Sequence, residues 1–372
     1  MSRLLHSEVQ ERQRELMKII VAIDSFKGCL TSAEANNAAA EGIAAAVPDA
    51  DIVQIPVSDG GEGWVDAIQN AIVGERIEVL VRDPLMRPVM AEYLVRGDTA
   101  VVEIAKSSGL TLLSPEELNP MVASSYGVGQ VVADAVKRGC RHIIVGLGGS
   151  AVSDCGIGML CALRECFAGG GSWKDICVLR DVRFTIATDV RNPLCGINGA
   201  AYVFAPGKGA TGGMVRVLDV RARRFADESA EYFGYDRRDV PGAGAAGGLG
   251  YAFLEYMDAE CRSGIEFMLD AVDFGGMVRD AAMVITGEGQ SDCQTLMGKL
   301  PYGILQRCRL RGVPVVLAAG RVRERRRLLA AGFADVVCIN PPGVLDEDCM
   351  KPEKARGNIR RALRCYFQSL RL

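Results

Sequence analysis

Apolar, β-branched runs recur along this chain, and each stops abruptly in a polar loop that carries a carboxylate. Residues 19–23 run into Asp24-Ser25-Phe26-Lys27-Gly28, and residues 52–57 into Ser58-Asp59-Gly60-Gly61-Glu62-Gly63. Residues 142–147 precede Gly148-Gly149-Ser150, with Asp154 just beyond. Residues 184–188 meet Asp189, and residues 283–286 meet Gly287-Glu288-Gly289, with Asp292 after it. Such short runs, apolar throughout and bounded by glycine, predict strands buried on both faces. Helical patterning fills the intervals. Thr31-Ser32-Ala33-Glu34 is a capping box that opens an alanine-rich helix over 32–47. Ser114-Pro115-Glu116-Glu117 signals a second helix start, with proline at its first position.

The opening therefore reads strand 18–23, helix 32–47, strand 52–57, helix 64–73. The end repeats the alternation: strand 283–286, helix 301–311, strand 313–318, helix 323–331, strand 335–339, helix 351–369. Alternation of this kind predicts parallel strands joined by right-handed crossovers. Residues 79–95 and 100–104 instead suggest a hairpin-rich sheet, with Asp83-Pro84 as the crossing point between domains. The expected class is α/β with two domains. The first is a discontinuous parallel-sheet domain over 17–82 and 285–372. The second, inserted α/β domain spans 83–284, and residues 1–16 form an N-terminal tail.

Composition narrows the function. A net charge of −3 supplies no basic field for nucleic acid, and no apolar run is long enough for a membrane span. Residues 1–16 lack an apolar core and do not read as a secretory signal; a short helix or an upstream start accounts for them. The 13 cysteines form no C-x-x-C pair, and the two histidines, His6 and His142, leave little for zinc or for a histidine-based hydrolase. Free thiols without a signal fit a reducing, cytoplasmic setting.

Glycine-rich strand ends let backbone N–H groups approach an anion, and the acids beside them suit a metal or a proton. Only nine of the 43 basic residues are lysines, yet Lys27, Lys208 and Lys299 all fall in glycine-bearing loops, as phosphate contacts would. Asp189 is placed to accept a hydroxyl proton in phosphoryl transfer, while Asp24, Asp59, Glu62, Glu288 and Asp292 compete for metal and substrate roles. No GxxxxGK[ST] loop occurs. Gly242-Ala243-Gly244-Ala245-Ala246-Gly247 fits the dinucleotide pattern, but the residues before it form no strand. The glycine run 242–250 then serves either a phosphate or close helix packing.

These segments resemble the bacterial-type, class I glycerate kinases. The resemblance runs through Asp24-Ser25-Phe26-Lys27-Gly28, Asp59-Gly60-Gly61-Glu62-Gly63, Gly148-Gly149-Ser150 with Asp154, and Asp189-Val190-Arg191-Asn192-Pro193-Leu194-Cys195-Gly196. It continues through Lys208-Gly209-Ala210, the 241–250 run, Gly287-Glu288-Gly289, Asp292, Gly298-Lys299 and Pro301, and is loose over the last 50 or so residues. It implies a flavodoxin-like domain with a second α/β domain inserted, and an active site between them. The implied activity is phosphorylation of D-glycerate with ATP and Mg²⁺, at the 2-hydroxyl, giving 2-phosphoglycerate and ADP. On that resemblance Asp189 is the expected base, with Asp24 and Asp292 as alternates. Ser25, Lys27, Gly60, Gly61, Gly148, Gly149, Ser150, Lys208 and Lys299 are expected at substrate or phosphate, and Asp59 and Glu288 at the metal. The implied partners are D-glycerate and ATP, with a homodimer open and neither nucleic acid nor membrane. Against the family pattern, Trp64 stands where threonine is common, Cys155 where glycine is usual, Gly207 where glutamine is usual, and Gln290 where a basic residue is common; 164–181 is shortened. These departures keep two alternatives open: a kinase for another small hydroxy acid, and a glycerate- or nucleotide-binding protein without turnover.

Overall fold

The computed structural model describes residues 17–26, 28–58, 63–71 and 74–370. Eleven strands run in chain order along the described residues. The first six are β1 (Lys18–Ile23), β2 (Asp51–Gln54), β3 (Glu75–Arg82), β4 (Pro88–Arg96), β5 (Thr99–Glu103) and β6 (His142–Gly146). The remaining five are β7 (Arg183–Ala187), β8 (Glu260–Arg262), β9 (Met283–Ser291), β10 (Val315–Val322) and β11 (Asp335–Cys338). They form two sheets in two compact units, one comprising residues up to Val57 and from Asp273 onward, the other Ser58–Val272.

The first unit holds a sheet in the order β2-β1-β9-β10-β11, every neighbour parallel. Counted within the unit, that is the flavodoxin-like order 2-1-3-4-5. β1 lies inside the sheet because five of its six residues are apolar and fully buried, while β2 has exposed polar ends and takes the edge. Ile19, Val21 and Ile23 pack with Ala35, Ala38 and Ile43 of the helix Ser32–Ala44 and with Ile359, Leu363 and Phe367 of the helix Pro352–Ser369. The Thr31 box forms as expected: Glu34 N donates to Thr31 Oγ1 at 3.2 Å, and Thr31 N donates to Glu34 Oε2 at 2.9 Å.

The second unit holds a mixed sheet in the order β3-β4-β5-β6-β7-β8. β3, β4 and β5 pair antiparallel, and β5 through β8 pair parallel. Tyr93, Val102, Val128, Val132, Ile143, Val145, Phe184 and Phe253 share its core.

Three expectations change. Asp83-Pro84 does not cross between units: Asp83 Oδ1 accepts from Leu85 N and Arg87 N, both at 2.8 Å, closing the β3–β4 hairpin. The units divide at 57/58 and 272/273, because β3 pairs with β4 along its whole length. Ser114 forms its capping box with Glu117, yet only the single 3₁₀ turn Pro115–Glu117 follows. A box satisfies the first turn; propagation needs an apolar face, and none of those three residues is buried.

Candidate functional site

In a 2-1-3-4-5 sheet the strand order reverses between the first and third strands, and ligands bind at the carboxyl ends there. Those strands are β1 and β9, paired through Ile23 and Gly287. A Cβ on Gly287 would meet Ala318 O at 2.0 Å, so only glycine lets β9 lie this close to β10. The next residues, Asp24 and Glu288, therefore stand side by side at the sheet edge, both buried. Asp24 N donates to Gly287 O at 2.9 Å, and Asp24 Oδ1 accepts from Ser25 N at 2.7 Å. Glu288 Oε1 accepts from Ser291 Oγ at 2.9 Å and from Thr295 Oγ1; its Oε2 lies 3.1 Å from Lys299 Nζ. Three donors, one charged, offset the cost of burying this carboxylate. Lys299 sits at the start of the helix Leu300–Arg309 with its side chain partly open to solvent. Asp292 accepts from Gln290 Nε2 and Gln294 N, both at 2.9 Å. The Gln290 bond, more than any other contact, holds Asp292 below the usual carboxylate range. That suits a contact to a cation or donor better than proton acceptance near neutrality.

The second unit offers the carboxyl ends of β5 to β8. Just past β7, Asp189 accepts from Ser263 Oγ at 2.5 Å and from Ile265 N at 3.2 Å. Ser263 is the N-cap of the helix Gly264–Ala271 and Ile265 lies in its first turn, and the positive end of that helix favours a carboxylate. After β6, Gly149 O accepts from Leu110 N at 2.8 Å, and Ser150 pairs with Gly109. Gly148 is half-buried and Gly149 exposed at the rim. Lys208 is buried beneath this loop, donating to Ser150 Oγ at 2.9 Å and to Val152 O. Burial pushes Lys208 down to about 7, against the pull of Asp154. Asp154 in turn accepts from Ser125 N and Oγ, both at 2.8 Å, and from Gly156 N and Gly158 N, both at 3.1 Å.

Asp24, Ser25 and Glu288 thus gather at one edge, with Lys299 bonded to Glu288. Ser150 and Lys208 gather at the other, while Asp189 is held by Ser263 and Ile265 on a neighbouring strand end. Lys27, Asp59, Gly60, Gly61 and Glu62 lie outside the described residues. Among the described residues no three His, Cys, Asp or Glu side chains cluster to hold a metal ion. The glycine run resolves in favour of packing: a Cβ on Gly247 would meet Val152 O at 2.0 Å, and Gly247 O accepts from Cys155 N at 3.1 Å. Cys155 itself has φ +56°, the left-handed region in which glycine is easier. Trp64 is fully buried and packs against Phe267 in a tilted pair with ring centroids 5.5 Å apart, so it is a core side chain in this structure. His142 shares a hydrogen bond with Thr185 Oγ1 at 3.0 Å inside the sheet, a structural role. Glu103 went unnoticed in the sequence. It ends the apolar strand β5 and is buried, but no glycine follows it to mark the loop.

The fold and these strand-end groups define an α/β enzyme with the lysine- and carboxylate-bearing loops of a phosphotransferase. The chain belongs to the glycerate kinase family, whose sequence profile matches residues 19–170 and 175–371. The match reaches the C-terminal helix, where the motif resemblance is loose, and its gap falls within 164–181, the segment read from the sequence as shortened. The chain is 40% identical to a glycerate kinase of Bacillus subtilis (strain 168), over 96% of this chain and 98% of that one. It is 38% identical to a glycerate 2-kinase of Escherichia coli (strain K12), over 89% and 93%. A crystal structure assigned to glycerate kinase 2 of Salmonella typhimurium LT2 superposes with a TM-score of 0.76 at 35% identity, covering 96% of this chain and 99% of that one.

Proposed function

We propose that this enzyme transfers the γ-phosphoryl group of ATP to the 2-hydroxyl of D-glycerate, giving 2-phosphoglycerate and ADP. The observation that carries the reading is the Glu288–Lys299 pair beside Asp24 at the switch point of the first sheet. Lys299, partly exposed, exchanges its carboxylate for phosphate oxygens when the nucleotide binds. In the second unit the Gly148-Gly149-Ser150 loop presents backbone N–H groups to an anion, and Asp189 takes the proton of the attacking hydroxyl. The new bond joins the substrate oxygen to the γ-phosphorus. The bond that breaks joins that phosphorus to the β–γ bridging oxygen, which leaves with ADP.

The donor set fits Mg²⁺, which binds through one or two carboxylates together with substrate phosphates and water. Asp24 and Glu288 supply two neighbouring carboxylates, and Asp59 is the further candidate from the sequence. When bound, the ion neutralises charge on the transferring phosphoryl group. Among the described residues no helix is long and apolar enough to cross a membrane. On this reading the enzyme is cytoplasmic, with D-glycerate and ATP as its partners. A homodimer belongs to the same reading and is checked by light scattering. ³¹P NMR of the protein with Mg-ATP and D-glycerate tests the whole proposal. A 2-phosphoglycerate signal is the expected result. A 3-phosphoglycerate signal overturns the regiochemistry, and unchanged ATP with glycerate left intact overturns the activity.

A further inference from the structure

Glu103 ends β5 on the same sheet edge as Ser150 and Asp189, and the reaction as read above makes no use of it. It is 2% exposed. Its Oε1 accepts from Gly63 N at 3.2 Å and its Oε2 from Val65 N at 3.1 Å. Gly63 immediately precedes the helix Trp64–Ala71 and Val65 lies in its first turn, so Glu103 supplies from 38 to 40 residues away what an N-cap side chain supplies locally. Between the two bonds lies Trp64, its ring 5.5 Å from that of Phe267. Phe267 belongs to the helix Gly264–Ala271, whose first turn is the one bonded to Asp189.

We propose that Glu103 is a positioning residue of the kinase: it fixes the first turn of the helix Trp64–Ala71 and, through Trp64 on Phe267, the helix turn that orients Asp189. The inference rests on the kinase reading for its consequence in turnover, while the anchoring geometry stands apart from it. Stability alone is a poor reason for this arrangement. A buried carboxylate that draws only on backbone donors bears a desolvation cost that a local Ser or Asp cap avoids. The same burial pushes Glu103 up to about 7, although Lys106 and both N–H groups pull it down. Asp66, on the anchored helix, raises it further. The charges around it are themselves paired: Lys106 with Glu92 at 2.8 Å, and Arg76 with Asp66 at 2.7 Å and with Glu92 at 2.8 Å. The anchor is then ionised or neutral according to Glu103 itself.

The test uses the full chain carrying Trp173→Phe, which leaves Trp64 as the sole tryptophan. Into that background Glu103→Gln is introduced, keeping the shape and one acceptor oxygen. The expected result is a kcat lower by about 10–100-fold with little change in KM for ATP, the usual range for a residue that orients a site group. Trp64 emission shifts to the red, and its titration near pH 7 in the parent disappears in the variant. A folded Glu103→Gln chain with parental kcat overturns the proposal, as does a loss of kcat that only tracks the folded fraction in thermal melts. If Glu103→Gln does not fold, Lys208→Met is placed in the parent instead: Trp64 emission that still titrates with pH supports the anchor, and emission flat with pH overturns it. If the parent transfers no phosphoryl group, the kinase reading fails, and the same emission titration still decides the anchor.

Discussion

The two sheet edges handle charge in opposite ways. In the first unit, Glu288 is buried but meets Lys299 and two hydroxyls, and the lysine remains partly open to water. In the second, Lys208 and Glu103 are buried with no oppositely charged side chain bonded to either in the described contacts. Lys208 donates to a hydroxyl and a carbonyl, and Glu103 accepts from two backbone amides. The physical consequence is a shift in protonation. Desolvation dominates in the second unit and drives a lysine and a glutamate toward the same value, about 7. A paired charge at a rim is free to exchange its partner for a ligand. A buried charge bonded to backbone holds loops in place. On the proposed reading, the first edge contacts an anion and the second shapes the loops that do.

Asp189→Asn probes the second edge most severely. Asparagine retains an acceptor for Ser263 or Ile265 but cannot take a proton, so kcat falls by about 10²–10⁴-fold with little change in substrate binding. Steady-state assays with separate KM determinations check this, and near-parental turnover reduces Asp189 to a cap on the helix Gly264–Ala271.

Lys299→Ala probes the first edge. Loss of a charged donor raises KM for ATP by about 10–100-fold while kcat for bound substrate changes less. An unchanged KM removes the phosphate role and leaves Lys299 as the structural partner of Glu288.

The smallest effect is the most specific to the comparison. Glu103 has its folded value raised from 4.5 to about 7, so its contribution is present below 4.5 and is lost as pH rises through 7. Lys208 has its folded value lowered from 10.5 to about 7, so between 7 and 10.5 the unfolded chain binds the extra proton and stability rises with pH. Each slope is at most about 1.4 kcal/mol per pH unit. Thermal melts across both windows should lose the first slope in Glu103→Gln and the second in Lys208→Met. Identical slopes in parent and variants would show that these groups titrate as they do in water.

Much of this architecture was legible in the residues. Unbroken β-branched runs such as 19–23 have no polar face to expose, so burial between helices follows from composition. The Thr31-Glu34 box is a local interaction and formed where it was read. The Ser114 box is equally local and also formed, but whether a helix continues past it depended on packing that four residues do not encode. The Asp83-Pro84 boundary failed for a related reason. A turn dipeptide looks the same between domains as within a hairpin, and only the β3–β4 register distinguishes them.

Sequence alone determined the alternation of strand and helix, the crowding of glycine and carboxylate at strand ends, and the family those motifs resemble. All of these depend on residues near one another in the chain. Tertiary structure decided which strand-end acids stand together, that Lys208 is sealed beneath its loop, that the 242–250 glycines serve packing, and that Glu103 holds a helix 38 to 40 residues distant. The reason is physical: desolvation and hydrogen-bond partnership depend on what surrounds a side chain in space, and a strand's neighbours are set by the sheet.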